Sequence, residues 1–528
     1  MSRSPLDEST TASGAPAKDA AGDSAATPDA GTTGAWFVRG RRLPPPMVLL
    51  GWLVVAHVVL KALVYLLVVD SPPHGDESAY LNAAMALSNG VRDLFALNGP
   101  DVAELDRNVV ASGWFMPGMA IVAAPLYVVF PDADIALVRA YLGLVNLALW
   151  LVVLRQVVRT LGPRWAVVLA IFPGLVPMWV MFTFGAWGDL NAGALLLLLL
   201  LRLVEMFRGM RAGRGPGVRE GLVIGLLSIV ILYLRSSTAV LLAGLGVVTL
   251  VAAVVLLRGR VRLRAIGAAL VAAAVFGVLL APWSAYASHV LGARVLTTTT
   301  VPTVKANTFG ERDQVCFGEC DPDSTLWFRP VRYAREVARA TGTSEVEVLG
   351  QMSDHALRDL TPGHYLDQVA HNLAAYSLIP AVFVNHVVPE GGRGPVGEVG
   401  GWAAQLGTWL LYYPVLLLSA ASLLSVARRS LEARMLDVLV KLCLGGLLVQ
   451  PFVHVAGGRY WTTAAPFFGL AAAMYLRGRQ LRRAPAATAP TPAADLVAVR
   501  WLNRIQVSLA VATALVALAL AVSVLVFW

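Results

Sequence analysis

Apolar residues in this chain recur as long runs set between short polar segments. The runs are Met47–Val69, Ile135–Val158, Ala166–Met181, Leu190–Phe207, Leu222–Leu234, Ala239–Leu257 and Ala265–Tyr286. After a long polar stretch come Trp402–Val426, Met435–Val455, Thr462–Leu476 and Val507–Trp528. A bilayer span needs about 20 mostly apolar residues, so the pattern predicts about eleven spans. Backbone groups in lipid must be paired within their own segment, which makes these helices and not strands. Gly113–Phe130 is shorter and is interrupted by Pro117 and Pro125, so it reads as a juxtamembrane or re-entrant helix.

The polar segments divide the chain. Residues 1–45 form a tail whose first part is rich in Ala, Thr, Ser, Asp and Gly and too poor in large apolar side chains to fold. Residues 46–290 form a membrane core with a first loop at 70–134. Residues 291–401 form a second, large loop with helix-like stretches at Val331–Thr341 and Ser344–Leu360. Residues 402–480 return to the membrane, 481–500 are a linker, and 501–528 are the last span. The first span acts as an uncleaved signal anchor, since nothing apolar precedes Trp36.

Composition agrees with an all-α polytopic membrane protein. The chain has 528 residues, 57% hydrophobic and 14% charged. Its formal charge of +9 does not point to nucleic acid, because the basic residues cluster in short loops such as Arg155/Arg159/Arg164, Arg208/Arg211/Arg214/Arg219 and Arg258/Arg260/Arg262/Arg264. Lys and Arg collect in cytoplasmic loops. If Gly113–Phe130 does not cross, all these clusters fall on one side and the amino terminus is cytoplasmic. The 70–134 loop, rich in acids, and the 291–401 loop then lie outside. Cys316 and Cys320, in the large outer loop, suit a small-loop disulfide in an oxidising compartment. Cys443 lies in a span as a packing residue.

Outer-side polar residues are the candidates for chemistry. Asp76 and Glu77 follow the first span, where an acid pair either starts a helix or faces a water-filled cavity. Asp189 begins the leucine-rich run and can cap it or join the same cavity. Arg235, in Tyr233-Leu-Arg-Ser-Ser-Thr238, runs against the positive-inside bias. It can grip a phosphate with two donors or snorkel to headgroups. Arg459 follows two glycines and precedes Tyr460 and Trp461. His57 and Lys61 lie within the first span; few other ionisable groups interrupt the spans, which weighs against a transporter or flippase. No nucleotide-binding glycine loop or zinc-protease motif occurs, so a transferase would draw its donor from the membrane.

In order along the chain, His74-Gly-Asp-Glu-Ser-Ala-Tyr80, Trp114-Phe-Met-Pro-Gly118, Pro125-Leu-Tyr127, Asp189, Leu234-Arg-Ser236, Ala281-Pro-Trp-Ser284 and Gly458-Arg-Tyr-Trp-Thr-Thr-Ala-Ala-Pro466 resemble the polyprenyl-phosphate-sugar-dependent glycosyltransferases of the GT-C superfamily. The protein O-mannosyltransferase-like and aminoarabinose-transferase-like families are the most similar groups. The resemblance implies a GT-C-like fold with outer juxtamembrane helices, working at the outer face of a bacterial cytoplasmic membrane. It implies Asp76 as the base that deprotonates an acceptor hydroxyl; Glu77 and Asp189 join it as candidate catalytic residues, with Glu77 open between positioning the base, binding a cation and beginning a helix. Tyr80, Arg235, Arg459 and Tyr460 are the implied substrate-binding residues. The implied partners are a polyprenyl-phosphate-linked sugar, a glycan, lipid or protein acceptor of the cell envelope, and membrane lipids. Some relatives use a divalent metal, which leaves such an ion open here. The chain departs from the family at Phe115-Met116-Pro117-Gly118, where a basic residue usually precedes a Pro-Pro pair. An inactive scaffold of the same architecture is the remaining alternative.

Overall fold

The computed structural model describes residues 37–38, 41–42, 44–73, 75–322, 328–382, 394–426, 430–455, 457–482 and 496–527. Most of the 1–45 tail, His74, the polar residues at 385–386 and the linker at 484–494 lie outside them. The chain divides into two units, residues 1–45 and 46–528. In the first, β1 (Phe37–Val38) pairs antiparallel with β2 (Arg41–Arg42). The described elements of the second are all helical.

It opens with α1 (Pro46–Val68), followed by α2 (Asp76–Phe95), the single turn α3 (Val102–Leu105) and α4 (Gly118–Val129). Helix α4 has 12 residues, roughly 18 Å, which is too short to cross a bilayer. It lies along α2, with Arg92 donating to the Tyr127 carbonyl at 3.0 Å. Then come α5 (Ile135–Thr160), α6 (Pro163–Ile171), α7 (Pro177–Met181), α8 (Gly188–Arg211), α9 (Val218–Leu234), α10 (Ala239–Leu256) and α11 (Gly259–Leu291). Asp134 caps α5 by accepting the Leu137 N–H at 2.8 Å. The large loop folds into α12 (Thr300–Phe309), α13 (Phe328–Thr341), α14 (Glu345–Ala356) and α15 (Pro362–Ser377). Cys316 and Cys320 are disulfide-bonded there, and Cys443 is free and buried. The chain ends with α16 (Gly394–Leu423), α17 (Leu431–Leu447), the single turn α18 (Gln450–Val453), α19 (Trp461–Arg482) and α20 (Leu496–Phe527).

Among the described residues, eight helices are long and apolar enough to cross a membrane. The sequence predicted about eleven spans by length, and the three remaining runs do not each form a single helix that is both long and apolar enough. Ala166–Met181 breaks into α6 and α7, because Pro173 and Pro177 cannot continue the ladder of backbone hydrogen bonds. Leu222–Leu234 lies in α9, only 17 residues long. Thr462–Leu476 lies in α19, which is long enough but too polar toward its basic end. The last helix begins at Leu496, ahead of the predicted 501, and α16 begins at Gly394, ahead of 402.

Ionisable groups inside the helices are also more numerous than His57 and Lys61. Asp437 and Lys441 of α17 pair at 2.9 Å, and Gln506 of α20 donates to Asp437. Buried charges persist only when paired in this way, and the pair fastens the last helix to the bundle.

Helix α8 is the most buried of the eight and packs against α5, α9 and α19. Its first residues therefore emerge at the centre of one end of the bundle. The last residues of α9 and the segments before α2 and α19 reach that same end. Arg208 and Arg211 of α8 sit roughly 30 Å away, at the other end of the helix. Arg159 closes α5, and Arg219 opens α9, at that opposite, basic end.

Candidate active site

Gly118, opening α4, lies against the backbone of Tyr233 and Leu234, and Gly188, opening α8, against that of Leu234; a Cβ at either position would overlap it. This close approach brings three chain segments together around the residue that follows, Arg235. The space beside them is a cavity of about 730 Å³, counted out to its solvent mouth. Asp76, Tyr80, Asp189, Arg235, Arg459 and Tyr460 all line it. Trp114, Phe115 and Met116 form another part of its wall.

Neither acid of the first turn of α2 caps that helix; the cap position is Gly75, and no side chain serves there. Asp76 accepts instead from the Arg459 guanidinium. Asp189 likewise does not cap α8, whose cap position is Trp187, and pairs with Arg235. Each carboxylate of the cavity thus faces an arginine from a distant part of the chain. Arg235 also donates to Gln450 Oε1 at 2.7 Å. The Tyr460 ring lies between the two guanidiniums, 4.5 Å from Arg235 and 5.0 Å from Arg459. Arg459 stacks on Trp187 at 4.6 Å as well. Aromatic faces of this kind stabilise a guanidinium that has lost part of its water.

The surroundings also set protonation. Burial works against the Arg459 charge, yet Tyr460 and Asp76 hold its pKa above the ordinary value. Burial, reinforced by Asp76, raises the Tyr80 phenol, which stays protonated as a hydrogen-bond donor. Burial pushes His454 down to about 4, with the backbone bond to Val455 working the other way and Arg235 and Arg459 adding to the depression.

Glu77 does not line this cavity. Its side chain points the other way, into a bidentate pair with Arg139 of α5, with the second Nη–Oε contact at 3.0 Å. The Ala186 N–H donates to Glu77 at 2.8 Å, and Arg139 donates to the Phe184 and Ser71 carbonyls at 3.1 and 3.0 Å. The buried pair therefore ties the segment carrying Asp76 to the segment leading into Asp189.

The large loop covers the site. Thr300 and Val304 of α12 line the cavity. Thr299 N–H donates to the Gly113 carbonyl at 2.9 Å, and the Thr299 hydroxyl donates to Ser112. On the other flank, Asn372 donates to the Pro451 carbonyl at 3.2 Å and Tyr365 to Phe452 at 2.8 Å.

Among the described residues, no three His, Cys, Asp or Glu side chains gather to hold a metal. The two cavity carboxylates already face guanidiniums, whose fixed positive charge opposes a divalent ion. This donor set does not fit the metal that the resemblance left open.

Sequence reasoning missed Arg139, Trp187, Gln450 and His454. Arg139 carried a signal, an arginine only four residues past the start of an apolar run. Gln450 and His454 are spaced i, i+4 just ahead of the Gly-Gly-Arg turn, the spacing of neighbours on one helix face.

No protein-family model matches the chain, and no curated protein matches it. Among solved structures, the oligosaccharyltransferase of Archaeoglobus fulgidus in its apo form is similar at 12% identity and a TM-score of 0.43, over 90% of this chain and 56% of that one. The oligosaccharyltransferase AglB of the same organism, in complex with an inhibitory peptide and a dolichol-phosphate, is similar at 12% identity and a TM-score of 0.39, over 88% and 56% of the two chains. This chain thus spans little more than half the length of either.

Proposed function

We propose that this membrane protein is an inverting glycosyltransferase of the GT-C type, taking its sugar from a polyprenyl-phosphate donor. One observation carries the reading. Asp76, Asp189, Arg235 and Arg459 come from four separate segments and meet around one cavity at a helix-bundle end. That end lies opposite the basic helix ends, so by the positive-inside rule it is the outer face of a cytoplasmic membrane. The Ala-, Arg- and Val-rich usage fits a bacterial source, with a glycan, lipid or protein of its envelope as acceptor.

Two arginines, stacked on aromatic rings in a partly dry cavity, suit a lipid-linked phosphate. Guanidinium groups bind phosphate oxygens through two parallel hydrogen bonds. A sugar esterified to that phosphate extends toward Asp76 and Tyr80. The acceptor hydroxyl gives its proton to the Asp76 carboxylate as its oxygen bonds to the anomeric carbon. The bond from that carbon to the phosphate oxygen breaks, and polyprenyl phosphate departs with one further negative charge. Arg235 and Arg459 stabilise that charge, an effect commonly worth a few kcal/mol. Asp189 holds Arg235 in place. Asp76 shares Arg459 with the arriving phosphate, which competes for the guanidinium and frees the carboxylate for the hydroxyl. Glu77 positions the start of α2 and does not contact the reacting atoms.

Purified protein in lipid nanodiscs, given a panel of polyprenyl-phosphate pentoses and hexoses, tests this. Consumption of one donor with release of polyprenyl phosphate is expected. Intact donors throughout, with no binding of any, would overturn it.

A further inference from the structure

No role falls to His454 in the transfer just described, yet it lines the same cavity as the two arginines and Asp76. Its Nδ1 is 2.9 Å from the Val455 carbonyl, which can only accept, so Nδ1 bears the hydrogen and donates it. The neutral ring therefore carries its lone pair on Nε2. The Val455 carbonyl also accepts from Gln450 Nε2 at 3.2 Å, and Gln450 Oε1 accepts from Arg235. One amide and one carbonyl thus tie the imidazole to the phosphate-gripping guanidinium.

The charges around it come from four elements. Arg235, following α9, and Arg459, preceding α19, disfavour a proton on the ring, whereas Asp76 of α2 favours one. Asp189 of α8 lies across the cavity, paired with Arg235. The phenols of Tyr80, Tyr233 and Tyr460 complete the titratable lining. Burial and the two guanidiniums keep the ring neutral, with its pKa pushed down to about 4. An anion seated on the arginines cancels their influence and brings its own negative charge.

We propose that His454 is a conditional third cation of the phosphate site, neutral while the arginines face only carboxylates and protonated at Nε2 once a phosphodiester binds them. The proton comes from solvent, and the new N–H is directed at the anion. During transfer the departing phosphate gains a negative charge, which strengthens the contact where the leaving group needs it. Linkage makes this reciprocal: if the anion raises the ring's proton affinity, the proton raises the anion's affinity by the same factor. The sign follows. Binding is tightest at low pH and weakens as pH rises through the ring's elevated pKa in the complex.

The inference rests on the phosphate-donor reading and is separable from it by calorimetry. The probe is a short prenyl methyl phosphodiester, whose single fixed charge cannot itself take up a proton. It is titrated into the full chain in nanodiscs, in buffers of different ionisation enthalpy. At about pH 5 the wild type should take up close to one proton per diester bound, and its affinity should fall roughly tenfold between about pH 5 and about pH 8. His454→Gln, which keeps a hydrogen-bonding side chain, should bind without proton uptake and with a flat pH dependence. Binding by the wild type without uptake, or equal uptake by His454→Gln, would overturn the role of His454 and leave the phosphate site standing. Absence of binding by the wild type, or undiminished binding by Arg235→Gln, would overturn both.

Discussion

Asp76 and Glu77 are consecutive in the chain, and each ends in an arginine pair, but the two pairs have opposite surroundings. The Glu77–Arg139 side chains are 2% and 3% exposed, and backbone groups of two segments complete their hydrogen bonds. The Asp76–Arg459 side chains are 20% and 17% exposed, and both border the cavity. A buried, fully bonded pair is worth little as net stability but is costly to break, so it fixes geometry. A pair open to a cavity can exchange one partner for a ligand. Adjacent acids on one helix turn, pointing to opposite sides, thus place one carboxylate in a sealed pair and the other at the cavity.

The largest effect should come from breaking the sealed pair. Arg139→Gln leaves the Glu77 carboxylate buried without its cation, and stability should fall by about 3–5 kcal/mol. Thermal unfolding in detergent measures this. Adding Glu77→Gln should restore part of the loss, because the two sites are coupled. A single variant that melts like the wild type would erase the contrast between the pairs.

Arg459→Gln should do the reverse, leaving melting nearly unchanged and lowering transfer about a hundredfold, the usual cost of losing one charge-stabilising donor. Steady-state release of polyprenyl phosphate reports it. The smallest effect concerns the ring between the guanidiniums. Tyr460→Leu should weaken phosphodiester binding by a few-fold, in line with a cation–π contribution of about 1 kcal/mol. Tyr460→Phe keeps the ring and should bind nearly as the wild type does. Equal losses in both variants would shift the role from the ring to the hydroxyl.

The membrane helices were legible in the sequence because a span needs only length and apolarity, which local composition carries. The limits appeared where a tally of apolar residues ignores backbone chemistry, as at Pro173 and Pro177 between α6 and α7. The cavity residues were legible as individuals, since each stands out against an apolar or basic background. Their partners were not: Asp76 and Arg459 are 383 positions apart, and nothing local joins them. Arg139 reads in sequence as one more interfacial arginine, and only folding shows it turned inward onto Glu77. His454 stood out less, because nothing local in the sequence places it beside Arg235 and Arg459 in the cavity.

The most direct measurement sets Asp76→Asn beside Glu77→Gln on whichever donor the polyprenyl-phosphate sugar panel identifies, with each rate normalised to correctly folded protein. Asp76→Asn should melt like the wild type and lose at least about a hundredfold in turnover, the scale of a missing general base. Glu77→Gln should melt lower while its folded fraction keeps turning over. Full turnover by a folded Asp76→Asn variant would contradict the account.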